Sequence, residues 1–153
     1  MTPAELPARL RQLAADVRDR AALDAADALA ASFQNSVRRS MTGVSAPGQP
    51  PARRTGTLAR SVVQAAATLT SPGKAASSVA PHTVYARIQQ TGGVIVPVRA
   101  KVLRWKDKSG VHYARKVTLP ARPYMVMTTE RRQQCRSAAV QAVQAVVREA
   151  LGG

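Results

Sequence analysis

The sequence predicts an α+β domain: a long N-terminal helix, an antiparallel β-meander with an inserted hairpin, and a long C-terminal helix packed on the sheet. Two observations carry this. Long stretches with helical apolar spacing stand at either end of the chain, and short alternating runs punctuated by Gly and Pro lie between them. At 153 residues the chain suits one domain with a core better than two, so residues 1–153 read as a single domain.

Residues 5–39 read as the first helix. Leu6, Leu10, Leu13 and Val17 recur at helical spacing, and Ala22, Ala26, Leu29, Phe33 and Val37 resume the pattern in a shifted phase. Abundant Ala, and no Gly or Pro between Pro7 and Gly43, favour an unbroken helix. The shifted phase has two readings, different partners along the helix or curvature around one core. Residues 42–56 hold three Pro and three Gly and end in Arg53 and Arg54, which excludes helix and central strand. A loop of this length is expected to be ordered mainly by neighbouring molecules.

The β region is expected over 57–118. After a short turn, strands are expected near 60–69 and 75–80, joined by a turn at Ser71-Pro72-Gly73-Lys74. Residues 84–90 read as one or two helical turns stopped by Gly92-Gly93. Val94, Val96 and Val98 alternate and Leu103 and Trp105 continue, with Pro97 marking an edge or a bulge. A turn at Asp107-Lys108-Ser109-Gly110 then returns the chain through Val111, Tyr113 and Val117. The last helix is expected over 124–150. Its stripe is Cys135, Ala138, Ala139, Ala142, Val143, Val146, Val147 and Ala150, with Gln and Arg opposite.

Composition limits the functions available. Aromatics make up 3% of the chain, so the core is expected to be thin and to gain stability from adjoining subunits. Net charge is +15, unevenly spread: residues 1–30 sum to −1 and residues 31–153 to +16. Such a field favours polyanions or acidic protein surfaces. One cysteine, no apolar run near the ~20 residues of a membrane span, and no signal-peptide layout point to synthesis in a cytoplasm.

Catalytic chemistry has little to use. His82 and His112 have no Cys or His at metal-ligand spacing, and Cys135 lies on an apolar helix stripe. Five of the eight acids lie in the first helix at positions that read as solvent-facing; only Asp107, Glu130 and Glu149 lie elsewhere. No phosphate-binding loop is present, since Gly92-Gly93 lacks the Lys-Ser/Thr that would follow. A non-enzyme without cofactor or metal is expected. Basic residues gather at Arg38-Arg39, Arg53-Arg54, Arg99, Lys101, Arg104, Lys106, Lys108, Arg115-Lys116 and Arg131-Arg132. These suit phosphate contact, while too few aromatics and no recognition motif leave no means of reading base sequence.

Three segments carry a family resemblance. Residues 46–62, APGQPPARRTGTLARSV, resemble a "PG-x-PP…TG-x-L-x-x-S-[IV]" signature. Residues 85–93, YARIQQTGG, resemble "YA-x-[IY]-x-x-x-G-G/T", and residues 119–125, LPARPYM, resemble "[IL]-PARP-[FY]-[LM]" before a last helix. In this order they resemble phage tail-completion and neck (head–tail joining) proteins, and the hairpin around Leu103-Arg104-Trp105 is similar to the Mu-like virion-morphogenesis branch. Thr91 departs from the acidic or aromatic residue that many members carry near that position.

The resemblance implies a virion subunit that completes the tail or joins head to tail. It would form a homo-oligomeric ring at the neck, bound to connector, terminator and tail-tube proteins, after assembly in the host cytoplasm. A tail-terminator or head-closure subunit is the alternative within the class; a free, non-specific DNA-binding protein is the alternative outside it. The implied subunit contacts are Arg53, Arg54, Thr55, Gly56, Leu58, Tyr85, Gly92, Gly93, Pro120, Arg122, Pro123 and Tyr124. The seven basic residues Arg99, Lys101, Arg104, Lys106, Lys108, Arg115 and Lys116 would face an acidic neighbour or DNA in the channel. Locally, Thr55-Gly56 offers a capping hydroxyl and a backbone joint. Tyr85 is expected to pack on the sheet with its hydroxyl at the rim. Arg122, held between prolines, is expected to bind either a partner or a helix-end carbonyl.

Overall fold

Ala-rich sequence with Pro7 in its first turn and Arg38 and Arg39 in its last gives helix α1, Leu6–Ser40. A computed structural model describes residues 5–152 except 44 and 108. Beyond the 42–56 loop come α2 (Thr57–Ser61), β1 (Val62–Gln64), β2 (Thr68–Ser71), β3 (Lys74–Ala76) and β4 (Val79–Pro81). Then follow α3 (Ala86–Thr91), β5 (Gly93–Ile95), β6 (Leu103–Asp107), β7 (Gly110–Ala114), β8 (Val117–Leu119) and α4 (Thr129–Ala150). The α+β class is as expected.

The strands form antiparallel pairs, β1 with β4, β2 with β3, β5 with β8 and β6 with β7. They make two nested arms instead of one continuous meander. In the first arm β2–β3 is the tip of β1–β4, joined by a bond from Ala65 N to Ser78 O of 2.8 Å. In the second, β6–β7 is the tip of β5–β8. The strand expected at 60–69 divides into the end of α2, β1, a break and β2. The alternation at Val94, Val96 and Val98 yields strand only to Ile95, because Pro97 cannot donate and restricts Val96 before it. The hairpin expected around Asp107–Gly110 is present, with Lys108 outside the described residues.

Helix α4 runs antiparallel along α1: Arg131 Nε donates to Ser36 Oγ at 3.1 Å near one end, and Arg20 forms a two-pronged pair with Glu149 near the other. It begins at Thr129, later than the expected 124. Thr128 caps it, accepting from Arg131 N at 3.2 Å, while the backbone N–H groups of Tyr124 and Met125 are drawn away to Gln90 Oε1. Its buried line runs through Arg131, Cys135 and Val146, so Val143 and Val147 of the expected stripe stay exposed.

The core is thin. Val37, Met41, Ala59, Val62 and Tyr124 form it, with Phe33, Leu58, Val79 and Met125 against them. The acids of α1 are not all solvent-facing, which corrects the sequence reading. Asp27 Oδ1 accepts from Ala67 N at 2.8 Å and Asp19 Oδ1 from Gly73 N at 2.7 Å, pinning the first arm to the helix. Arg18 and then Gly73 N–H hold the Asp19 carboxyl below its ordinary pKa. The 42–56 loop is likewise anchored within the chain, by a bond from Gly48 N to Ala121 O and by a buried Pro51. Among the described residues no helix is long and apolar enough to cross a membrane.

Candidate interaction site

Short helix α3 is where the three segments 46–62, 85–93 and 119–125 meet. Its C-terminal Gly92 has φ of 69°, and its own N–H closes the helix on Ile88 O. A Cβ at Gly92 would stand 2.7 Å from Ala121 N and 2.9 Å from Leu119 O, so the segment 119–121 passes too close for any other residue. Arg122 N donates to Gln89 O at 2.8 Å, and Gln90 Oε1 takes the N–H groups of both Tyr124 and Met125. Tyr124 Oη donates to Ala86 O at 3.3 Å. Tyr124 is 1% exposed and belongs to the core, so it positions this junction and presents no surface to a partner. Burial raises its phenol pKa.

Over the outer side of the junction a pocket of about 170 Å³ is lined by Arg53, Arg54, Thr55, Gly56, Leu58 and Tyr85, with Gln89 beside them. Six of the residues singled out in the sequence are thereby brought together. Gly56 is the N-cap of α2 with φ of 76°, which is the expected backbone joint. The expected capping hydroxyl is displaced: Thr55 Oγ1 pairs with Thr57 Oγ1 at 2.9 Å and takes only a long bond from Thr57 N, because Gly56 occupies the cap. A Cβ at Gly56 would lie 3.0 Å from Arg60 Nη1 and 3.2 Å from Arg53 Nε, so two guanidinia crowd one point. Among the described residues no acid pairs with Arg53, Arg54 or Arg60. Like charges so close repel unless an anion lies between them. The pocket can accept a carboxylate or phosphate, with hydroxyl and amide groups at hand. Tyr85 lies at its wall, exposed, at the N-terminal boundary of α3.

The other candidates are dispersed. Pro120 is exposed and Pro123 half-buried, on either side of Arg122. Gly93 opens β5 opposite Leu119. Carbonyls at the end of α2 and in the segment before α4 are served by other arginines. Arg38 donates from Nε to Ala59 O and from Nη2 to Val62 O at 2.7 Å, at the end of α2. Arg131, 9% exposed, donates from Nη1 to Tyr124 O at 2.8 Å and Val126 O at 2.7 Å. Both were grouped with the phosphate-contacting clusters by sequence, and both face inward. The periodic signal for Arg131 was present: it lies one turn before Cys135 on the buried line.

The second arm carries the remaining basic candidates. Cross-strand pairing puts Arg104 with Tyr113 and Lys106 with Val111 on one face, all exposed. Arg115 and Lys116 follow β7, and Arg99 and Lys101 lie in the bends before β6, also exposed; Lys108 lies outside the described residues. On the opposite face Trp105 stacks on His112 with ring centroids 5.4 Å apart. Asp107 Oδ1 takes bonds from Ser109 Oγ and meets His112 Nε2 at 2.9 Å. This trio does not form a nucleophilic relay. Ser109 Oγ and Asp107 both meet the same ring nitrogen, whereas a relay needs the two nitrogens to serve different partners. Ser109 and His112 hold the Asp107 carboxyl well below its usual pKa range. Among the described residues no three His, Cys, Asp or Glu side chains gather as a metal site. Comparison of the chain with family models, with characterised proteins and with solved structures found no match.

Proposed function

We propose that this chain is a non-enzymatic structural subunit of a long-tailed bacteriophage virion, assembling as a ring at the neck to complete the tail or join it to the head. The carrying observation is the pocket lined by Arg53 and Arg54, with no acid in its lining and with the Arg60 guanidinium close to Gly56, on the junction where the three resembling segments meet. An anionic group of a neighbouring molecule is the complement such a pocket lacks. A terminator or head-closure subunit would use the same features. Electron microscopy of purified virions tests the reading, with this chain expected in the neck or upper tail; density elsewhere in the particle overturns it.

One observation favours a second reading, non-specific DNA binding. The face of Arg104, Lys106 and Tyr113 on the second arm is fully open. Phosphate contact by that face predicts DNA affinity that falls steeply as salt rises. Negligible affinity of the isolated subunit at low salt removes it.

A further inference from the structure

Where α4 begins, it and α1 meet through polar side chains, although the seam between two packed helices is ordinarily apolar. Ser32, Ser36 and Arg39 share one face of α1 at i, i+4 and i+7, and with Glu130, Arg131 and Gln134 of α4 they line a cavity of about 640 Å³. The two walls are joined by the bond of 3.1 Å from Arg131 Nε to Ser36 Oγ. Arg131 is buried, and its Nε and Nη1 are engaged. Its Nη2 makes no hydrogen bond among the described residues and is still reached by solvent. Arg39, on the other helix, is exposed and has no acid within ion-pair distance among the described residues.

We propose that this cavity binds a phosphate group, held between Arg39 and the free Nη2 of Arg131. Two guanidinium forks and the hydroxyls of Ser32 and Ser36 bring donors from several directions. That arrangement suits an oxyanion with several acceptor oxygens better than a planar carboxylate. The volume falls within the range of small-molecule pockets, about 300–1,000 Å³, so the phosphate can be carried on a small ester. Polar walls select a hydrophilic carrier. Glu130 is the acid in the lining, and its Oε1 accepts from Gln134 Nε2 at 3.3 Å. Counted against Arg39 and Arg131 it leaves the lining at +1, so it opposes the ligand without cancelling the attraction. The pocket of Arg53 and Arg54 has different walls and no acid. This site therefore stands apart from that one, and it depends neither on the ring nor on the phage reading.

Isothermal titration calorimetry of the full chain at constant ionic strength tests the site. Glycerol 3-phosphate and inorganic phosphate are titrated separately, which tells a site for an ester from one for the free ion. Saturable binding is expected. Arg39→Gln, at an exposed position, should weaken it about tenfold, as the loss of a charged hydrogen bond does. Glu130→Gln removes the opposing carboxylate and should tighten it about threefold. Arg54→Gln, which alters the smaller pocket, should leave it unchanged. Arg131 is kept intact because it also braces the fold. If Arg39→Gln melts early, Ser32→Leu, which fills the cavity from the same wall, replaces it with the same expected loss. A chain that binds neither ligand overturns the proposal. So does binding that the Arg39 or Ser32 variant leaves undiminished, that Glu130→Gln fails to tighten, or that Arg54→Gln abolishes.

Discussion

Arg131, in the first turn of α4, and Arg104, on β6, are both arginines of a chain that carries +15. Arg131 lies within the junction and spends its guanidinium on the carbonyls of Tyr124 and Val126 and the hydroxyl of Ser36. Arg104 stands on the second arm, across from Tyr113, with its face open to water. In the junction, buried carbonyls with no strand or helix partner need a donor that reaches several at once, which the guanidinium fork provides. The arm satisfies its backbone in its own ladder, so its cations are free to act outward. The basic surface is therefore smaller than the charge count: Arg38 and Arg131 serve as internal braces, and the outward field comes from the arm, the pocket of Arg53 and Arg54 and the exposed face of α4.

The largest expected effect separates these two arginines. Arg131→Met should lower the unfolding free energy by about 3 kcal/mol, since each buried carbonyl left without a donor costs about 1–3 kcal/mol. Burial already pulls the Arg131 pKa below its ordinary value, yet the group stays charged at any working pH. Arg104→Met should change stability by less than about 0.5 kcal/mol, as for surface positions generally. Urea unfolding of both variants measures the contrast, and equal losses would break it.

A second test concerns backbone and not charge. Gly92→Ala forces a side chain into a left-handed residue and against the backbone of Leu119 and Ala121. A loss of about 2 kcal/mol is expected, read as a fall of several degrees in Tm. Gly110, also at positive φ but with open space around it in the arm, should tolerate Ala with a smaller loss. A Gly92 variant no less stable than the Gly110 variant would show that segment 119–121 can move aside.

The parts of the fold that were legible in sequence are those set by local periodicity. The extent of α1, the hairpin at Asp107–Gly110 and the glycine stop of α3 follow from apolar spacing and turn chemistry. The start of α4 was not legible, because what unwinds residues 124–128 is Gln90, distant in sequence. The break between β1 and β2 was equally hidden, since Asp27 on α1 claims the N–H of Ala67, whereas the break after β5 was marked by Pro97. At the site, the gathering of Arg53, Arg54, Thr55, Gly56 and Leu58 was foreseeable from adjacency. The inward turn of Arg38 was not: its neighbour Arg39 is the same residue type and lies exposed.

A smaller effect is expected at the start of α4. Thr128→Ala removes the hydroxyl that accepts from Arg131 N and should cost about 1 kcal/mol. Because Arg131 also braces the junction, the double variant with Arg131→Met should lose less than the two single losses together. Strict additivity would mean that the cap and the brace act independently.

The smallest global effect, and the sharpest local one, is expected at Asp107. Its folded pKa is depressed by the Ser109 hydroxyl, then His112, then the Ser109 N–H. A depressed carboxylate contributes order that is fully present above its ordinary value of 3.8 and is lost as pH falls below it. Trp105 is the single tryptophan and stacks on His112, so its fluorescence reports the arm alone. Asp107→Asn should alter that emission at neutral pH, and the difference should persist below about pH 4, fading only as pH falls through the depressed folded value. The thermal midpoint should move by less than about 1 °C, since the trio is exposed. If the midpoint instead fell as far as in Gly92→Ala, the arm would be joined cooperatively to the junction. Its cations could not then be regarded as a separate outward face. A local change in Trp105 without global loss means that the arm melts as its own unit, the behaviour of a ladder that packs chiefly on itself.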